Sequence, residues 1–332
     1  LREALSENIF LSVEQKLSPM LPSLNFEKAK GAKAVAVVRG GDADGNVLYL
    51  HNEEQKSSKP RKDINTLHYM KDLSFVKPAE RARIMGLLEE GIKNDKAPEG
   101  LEARVMTVYE KMKGDATASK AIELPSESMF QPIPDPDPKV RQIWYVAGIS
   151  GSGKSYFARG IAENYKKLFP EREIYLISKL TEDETLDKMK IGKPKRISLE
   201  SLVEDFPAID EFKNCLVIFD DYDTLTAPYD KVVLKLIDDL AIMGRHTGTS
   251  MLVLSHYLTN YKKTRLILGE AHFLVLYPMA TSFKAMKYVC EHHCGLTKDE
   301  VQGLKKMGRW VCIHKVFPQY LIACQDAYLL NQ

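Results

Sequence analysis

Downstream of residue 140, short apolar runs alternate with stretches whose apolar positions recur every three or four residues. Five runs read as buried strands: Gln142–Ala147, Glu173–Ser178, Cys215–Asp220, Ser250–His256 and His272–Tyr277. Between them, Tyr156–Leu168 sets Phe157, Ile161, Tyr165 and Leu168 on one helical face. Tyr229–Met243 does the same with Val232, Val233, Leu236, Ile237, Leu240 and Ile242. The alternation predicts an α/β fold, a mostly parallel sheet covered by helices. The pattern then changes. Arg309–Lys315 and Gln319–Cys324 flank Val316, Phe317 and Pro318, and read as an antiparallel β-hairpin added to the sheet or beside it.

The first 128 residues read as a small α+β region. Ala32–Val38 and Val47–His51 are strand-like, joined by the turn Gly40–Asn46. Asp42 and Asp44 in that turn lack the spacing and closing Glu of a calcium loop. A polar loop over 53–62 follows. Pro78–Lys93 and Gly100–Lys113 read as amphipathic helices, with a polar stretch over 114–120 after them. Met129–Pro138 holds four prolines, which exclude helix and central strand. We therefore expect a stiff connector over 129–139 and a main domain over 140–332.

The first strand of the main domain ends in Gly148-Ile-Ser-Gly-Ser-Gly-Lys154-Ser155. This is the P-loop pattern G-x-x-x-x-G-K-[ST] between a strand and a helix, the context that the motif requires. Glycines let backbone N–H groups close around phosphate oxygens. The candidate ATP-binding residues are Gly148, Ser150, Gly151, Ser152, Gly153, Lys154 and Ser155, with Tyr156 beyond them. Lys154 reaches the β- and γ-phosphates, and Ser155 is placed to hold Mg²⁺. A second acidic strand is then expected, and Cys215–Asp221 supplies it. Asp220 would hold Mg²⁺ and Asp221 would polarise the attacking water. A doubled acid suits ATP hydrolysis coupled to motion. Asp223 reads as turn chemistry.

Composition narrows the setting. Among 332 residues, 44% are hydrophobic and the net charge is +2, which excludes a chain that is basic throughout but not a local basic channel. No run of about eighteen apolar residues occurs, so no membrane span is expected. The first residue is Leu1 rather than Met and no secretory signal is visible, so the natural N-terminus is expected upstream. Five cysteines beside an ATP site suggest free thiols in a reducing compartment.

A further segment is more specific. Met243-Gly-Arg245-His246 leads into the strand that ends at Ser255-His256, and Asn260–Arg265 follows. Together with the P-loop, the acidic strand and the terminal hairpin, it resembles the DNA-packaging ATPases of poxviruses and giant (nucleocytoplasmic large DNA) viruses, in the FtsK–HerA division of P-loop motors. The resemblance spans roughly 142–328 and does not reach residues 1–125. It implies a RecA-like core working as a homo-oligomeric ring. That ring would translocate double-stranded DNA into a capsid, in the virion or a cytoplasmic viral factory, with a capsid or portal component as a partner. It also implies roles. Arg245 is the candidate arginine finger acting on a neighbour's ATP, with Arg265 the alternative. His256 stands where the family has Gln as γ-phosphate sensor, and Asp221 stands where Glu is common.

DNA contacts are assigned by charge. Lys190, Lys193, Lys195 and Arg196 lie in a Gly- and Pro-containing basic loop that can track phosphates without reading sequence. Lys262, Lys263, Lys305, Lys306 and Arg309 are weaker candidates. Cys290, Cys294, Cys312 and His314 have the parity for a zinc site, but C-x-x-C spacing is missing, so buried free thiols are expected. Two other functions fit a P-loop: a small-molecule kinase, and a virion structural protein that binds ATP without turnover. A kinase would want an arginine-rich lid and an acceptor pocket, and the doubled acid and the Arg-His segment favour the motor.

Overall fold

The computed structural model describes residues 22–51, 69, 72–94, 96–118 and 121–330. The polar loop over 53–62 lies outside them. Two compact units emerge: Leu1–Asn25 with His51–Ile122, and Phe26–Leu50 with Glu123–Gln332. In the first unit, helices α1 (Pro78–Lys93) and α2 (Ala103–Ala118) bury Leu88, Ile92, Val105, Tyr109 and Met112 against one another. Helix α2 continues to Ala118, through residues expected to be a polar stretch. Ala116 and Ala118 favour helix continuation.

The second unit carries two sheets. The smaller includes strands β1 (Lys33–Arg39), β2 (Val47–His51) and β3 (Met129–Pro132), which run in the order β2-β1-β3 with both pairings antiparallel. The expected connector thus begins as a strand, with Ala36 opposite Pro132 and Arg39 opposite Met129. Its proline is tolerated because β3 is an edge strand with no further ladder to feed. Residues 26–50 accordingly cluster with the main domain, upstream of the boundary expected near 128.

The larger sheet contains β4 (Ile143–Ala147), β5 (Ile174–Ser178), β6 (Lys195–Arg196), β7 (Leu216–Asp220), β8 (Ser250–Ser255) and β9 (Phe273–Leu276). It also contains strands β10 (Val311–His314), β11 (Tyr320–Ala323) and β12 (Asp326–Leu329). The order is β12-β11-β10-β9-β4-β8-β7-β5-β6. From β9 to β6 the pairing is parallel, and β10 to β12 add antiparallel strands. With the two-residue edge strand β6 set aside and counting from the P-loop strand β4, the parallel core runs 5-1-4-3-2, a RecA-like P-loop NTPase core. The hairpin joins the sheet through β10 beside β9, and β12 extends it by a strand that the apolar pattern does not show.

Both faces of the core are covered. Helix α3 (Lys154–Leu168) buries Phe157, Ile161 and Tyr165. Phe157 lies against Trp144, which stacks on Phe273 with ring centroids 3.7 Å apart. On the other face, helix α5 (Tyr229–Thr247) buries Val233, Leu236, Ile237 and Leu240, and α6 (Tyr261–Glu270) adds Ile267 and Leu268. Short α4 (Leu199–Glu204) precedes this layer, and α7 (Phe283–Cys294) and α8 (Lys298–Gly303) follow it. Ile242, expected in the core, is 52% exposed. The buried stripe passes through Ala241 and Gly244, and Ile242 falls one residue off it.

Candidate functional site: the P-loop end of the sheet

The loop after β4 closes on glycine chemistry. Gly151 and Gly153 have φ of +73° and +110°, which L side chains rarely adopt. At Gly148 a Cβ would sit 2.6 Å from both Ser152 Oγ and the Tyr277 ring. Lys154 is only 6% exposed, and its Nζ donates to the Gly148 carbonyl at 2.9 Å. The ammonium therefore lies folded over the loop that it would serve. Ser152 Oγ is buried with no hydrogen-bond partner, a vacancy in bonding that a phosphate oxygen would satisfy. Ser155 opens the helix beside Lys154, and Tyr156 points outward at 76% exposure.

The acids arrive from the neighbouring strands. Asp220 ends β7 opposite Ser178 of β5, whose hydroxyl donates to Asp220 Oδ2 at 3.1 Å. Burial, then Asp221 and Asp183, push the Asp220 carboxyl up to about 6. Such a buried, electrostatically crowded carboxylate suits a divalent cation, whose charge would offset that cost. Asp221 follows with φ of +51°, a left-handed backbone that Asp tolerates better than most residues and that aims its side chain away from the strand. Its Oδ1 lies 3.8 Å from Lys154 Nζ and 3.0 Å from His256 Nε2. The lysine is too far for a hydrogen bond and the imidazole is not aligned for one, so this buried oxygen keeps free capacity. Lys154, Asp220, Asp221 and His256 thus converge at the ends of β4, β7 and β8.

Asp223 has more than a turn to hold. Its Oδ2 accepts from Ser255 Oγ at 2.8 Å, from the His256 N–H at 2.8 Å and from the Tyr257 N–H at 3.1 Å. Lys263 Nζ donates to its carbonyl at 2.6 Å. Asp223 therefore fixes the strand end that carries His256. Arg309, placed by charge among the weaker DNA candidates, instead reaches the P-loop from the start of β10. Its Nε donates to Ser152 O at 2.9 Å and its Nη2 to Gly151 O at 3.3 Å. No local pattern marks either role, because the partners are 32 or more residues away.

Other candidates lie elsewhere. Arg245 is in the last turn of α5, near Arg141 just ahead of β4, at the end of the sheet opposite the P-loop. A strand such as β8 separates the two ends by about 20 Å, six residues at ~3.3 Å each. Arg265 lies over the Tyr261 ring, 5.5 Å from its centroid. The basic loop is partly spent inside the fold. Arg196 grips Asp187 at 2.6 Å and 3.1 Å, and Lys195 pairs with Glu173 at 3.0 Å. Lys190 and Lys193 keep exposed side chains, and the Lys190 N–H is anchored on Glu163. Cys290 and Cys294 hydrogen-bond each other, Cys312 is fully buried, and the His314 ring stacks on Tyr320. No helix among the described residues is long and apolar enough to cross a membrane.

No protein-family model matches the chain. Among solved structures, the genome packaging NTPase B204 of Sulfolobus turreted icosahedral virus 2, in complex with ATP-gammaS, is 13% identical. The match covers 57% of this chain and 98% of B204, with a TM-score of 0.37. The cytoplasmic domain of the type VII secretion ATPase EccC of Thermomonospora curvata is 14% identical over 62% of this chain and 28% of its own, with a TM-score of 0.41. The sequence is closer to uncharacterized protein V3 of Sputnik virophage, at 32% identity over 193 residues, 57% of this chain and 77% of V3. An identity of that level over that share places the chain in the V3 family.

Proposed function

We propose that the chain is an ATP-driven double-stranded DNA translocase that packages a viral genome into a capsid, acting as a homo-oligomeric ring. The observation that carries the ATPase reading is the convergence of Lys154, Asp221 and His256 at one end of a 5-1-4-3-2 sheet. Lys154 neutralises the β- and γ-phosphates, and Ser152 Oγ and the loop N–H groups receive their oxygens. Ser155 and Asp220 would hold Mg²⁺, which offsets phosphate charge when bound. Asp221 takes the proton of the attacking water. His256 Nε2 lies 3.0 Å from Asp221 Oδ1, so the imidazole stands beside the proposed base, where it would sense the γ-phosphate.

The position of Arg245 supports action in trans. It is at the wrong end of its own sheet to reach its own phosphates, so it serves a neighbour's nucleotide in a ring. The virophage relative supports a viral setting, which we place in a virion or viral factory; a capsid or portal component as docking partner follows from the packaging reading alone. Lys190 and Lys193 remain the best placed of the basic loop to meet duplex phosphates, because Lys195 and Arg196 are already paired.

The test is ATP hydrolysis with and without duplex DNA, alongside native mass of the ATP-analogue complex. The expected result is a several-fold stimulation by DNA and a ring. A rate indifferent to DNA, with phosphoryl transfer to a small acceptor, would identify a kinase instead. Arg309 gives a second expectation. Arg309→Ala weakens binding of a non-hydrolysable ATP analogue about tenfold, since two charge-assisted bonds to the loop are lost. Arg309→Lys restores little, because an ammonium cannot span both carbonyls. Unchanged affinity by calorimetry in Arg309→Ala would show that the loop holds its shape unaided.

A further inference from the structure

Beside the P-loop lies a cavity of about 410 Å³, within the range of ~300–1,000 Å³ typical of small-molecule sites. Ser152 and Gly153 form its edge on the phosphate side. Its walls are mostly apolar or aromatic and include Tyr156, Phe157, Trp310 and Met129. Two polar groups stand out. Tyr277 lines the cavity, is 2% exposed, and its buried hydroxyl has no hydrogen-bond partner. Gln131, from β3, lies over Gly160 so closely that a Cβ there would be 2.5 Å from its Nε2. The Gln131 Oε1 accepts from Arg39 Nε at 2.8 Å. Because a guanidinium only donates, the oxygen must face Arg39, which leaves Nε2–H as the group able to donate toward the cavity.

An aromatic-walled cavity with donors at its rim, opening beside a phosphate loop, has the chemistry of a nucleobase site. We infer that this cavity holds the base of the bound nucleotide, with the ring against Trp310 and Tyr156 and its acceptor edge read by Gln131 and Tyr277. The inference rests on the reading of the loop as an ATP site. It adds that β1 and β3, contributed by residues ahead of the core, determine which base is accepted. Arg39, which also lines the cavity, acts as a positioning residue, since its guanidinium fixes the orientation of the Gln131 amide.

The chain has two tryptophans, and Trp144 is sealed in the core, so a fluorescence change on binding reports Trp310. A non-hydrolysable ATP analogue is expected to change that fluorescence, whereas inorganic tripolyphosphate, which fills only the loop, is not. Trp310→Phe removes the change. Gln131→Leu weakens the analogue about tenfold and leaves tripolyphosphate affinity unchanged. If the analogue binds with no Trp310 response and Gln131→Leu binds it like the wild type, the base lies elsewhere and the ATP reading survives alone. If neither the analogue nor tripolyphosphate binds, both readings fall. A Gln131→Leu chain that loses tripolyphosphate as well has a disturbed loop, and the wild-type fluorescence then decides.

Discussion

Replacing Lys154 by Ala lowers ATP turnover by a factor of roughly 10²–10³, the loss typical of removing one preorganised group from developing charge. The fold survives, because Ala is the best helix former and Lys154 opens α3. Three consequences of the site add together. The phosphates lose the ammonium that lies over the loop. The Gly148 carbonyl loses its 2.9 Å donor. Asp220 and Asp221 lose a neighbouring cation, and since Lys154 lowers the Asp220 pKa, its removal drives that carboxyl further toward the protonated form that holds no metal. Phosphate release under saturating ATP measures the effect, with the unfolding midpoint as a check on integrity. A variant that turns over ATP at the wild-type rate would remove the basis for the catalytic assignment.

Asp223→Ala is expected to destabilise the second unit by about 3 kcal/mol and to slow turnover together. The carboxylate oxygen Oδ2 accepts from one hydroxyl and two backbone N–H groups. Without it the His256 N–H has no acceptor, and Ser255 Oγ and the Tyr257 N–H keep only their mutual neutral bonds. Bonds to a charged group contribute roughly 1.5–3 kcal/mol each. Turnover falls because the same bonds hold the end of β8, and with it His256 against Asp221. Asp223→Asn separates the two effects. Its carbonyl oxygen still accepts two bonds, so it recovers part of the stability but loses the charge assistance. Urea unfolding beside steady-state hydrolysis reads both. If Asp223→Ala unfolds at the wild-type midpoint, the three bonds are not holding the strand end.

Residues in this site divide by how far away their partners are in the chain. The P-loop pattern was legible because strand, glycine turn, lysine and helix are consecutive, and Gly151 and Gly153 take the positive φ values that glycine alone adopts readily. Asp220 and Asp221 were legible because five apolar residues ahead of them declare a buried strand with an acidic end. Asp223 was read only as a turn, since Ser255 and His256 are 32 and 33 residues further on. Arg309 was read as a DNA candidate, since its partner Ser152 is 157 residues away. The proline-rich segment was read as a connector because composition cannot show that an edge of β1 is waiting for it.

The sequence by itself determined the glycine-rich loop between strand and helix, the alternation of strands and helices and the antiparallel ending. These depend on covalent neighbours and on periodicities of two and 3.6 residues, which act locally. Tertiary structure decided which charges share the site. The strand order 5-1-4-3-2 puts β8 beside β4 and β7 beside β8, so Asp221 and His256 meet Lys154, while the helix that follows β7 carries Arg245 to the far end. It also spent Lys195 and Arg196 on Glu173 and Asp187, turned Arg309 toward the loop and set Gln131 in the wall of the cavity beside it. A charge acquires its partner only when packing has set the register of distant segments, and that register is a property of the whole core rather than of any stretch within it.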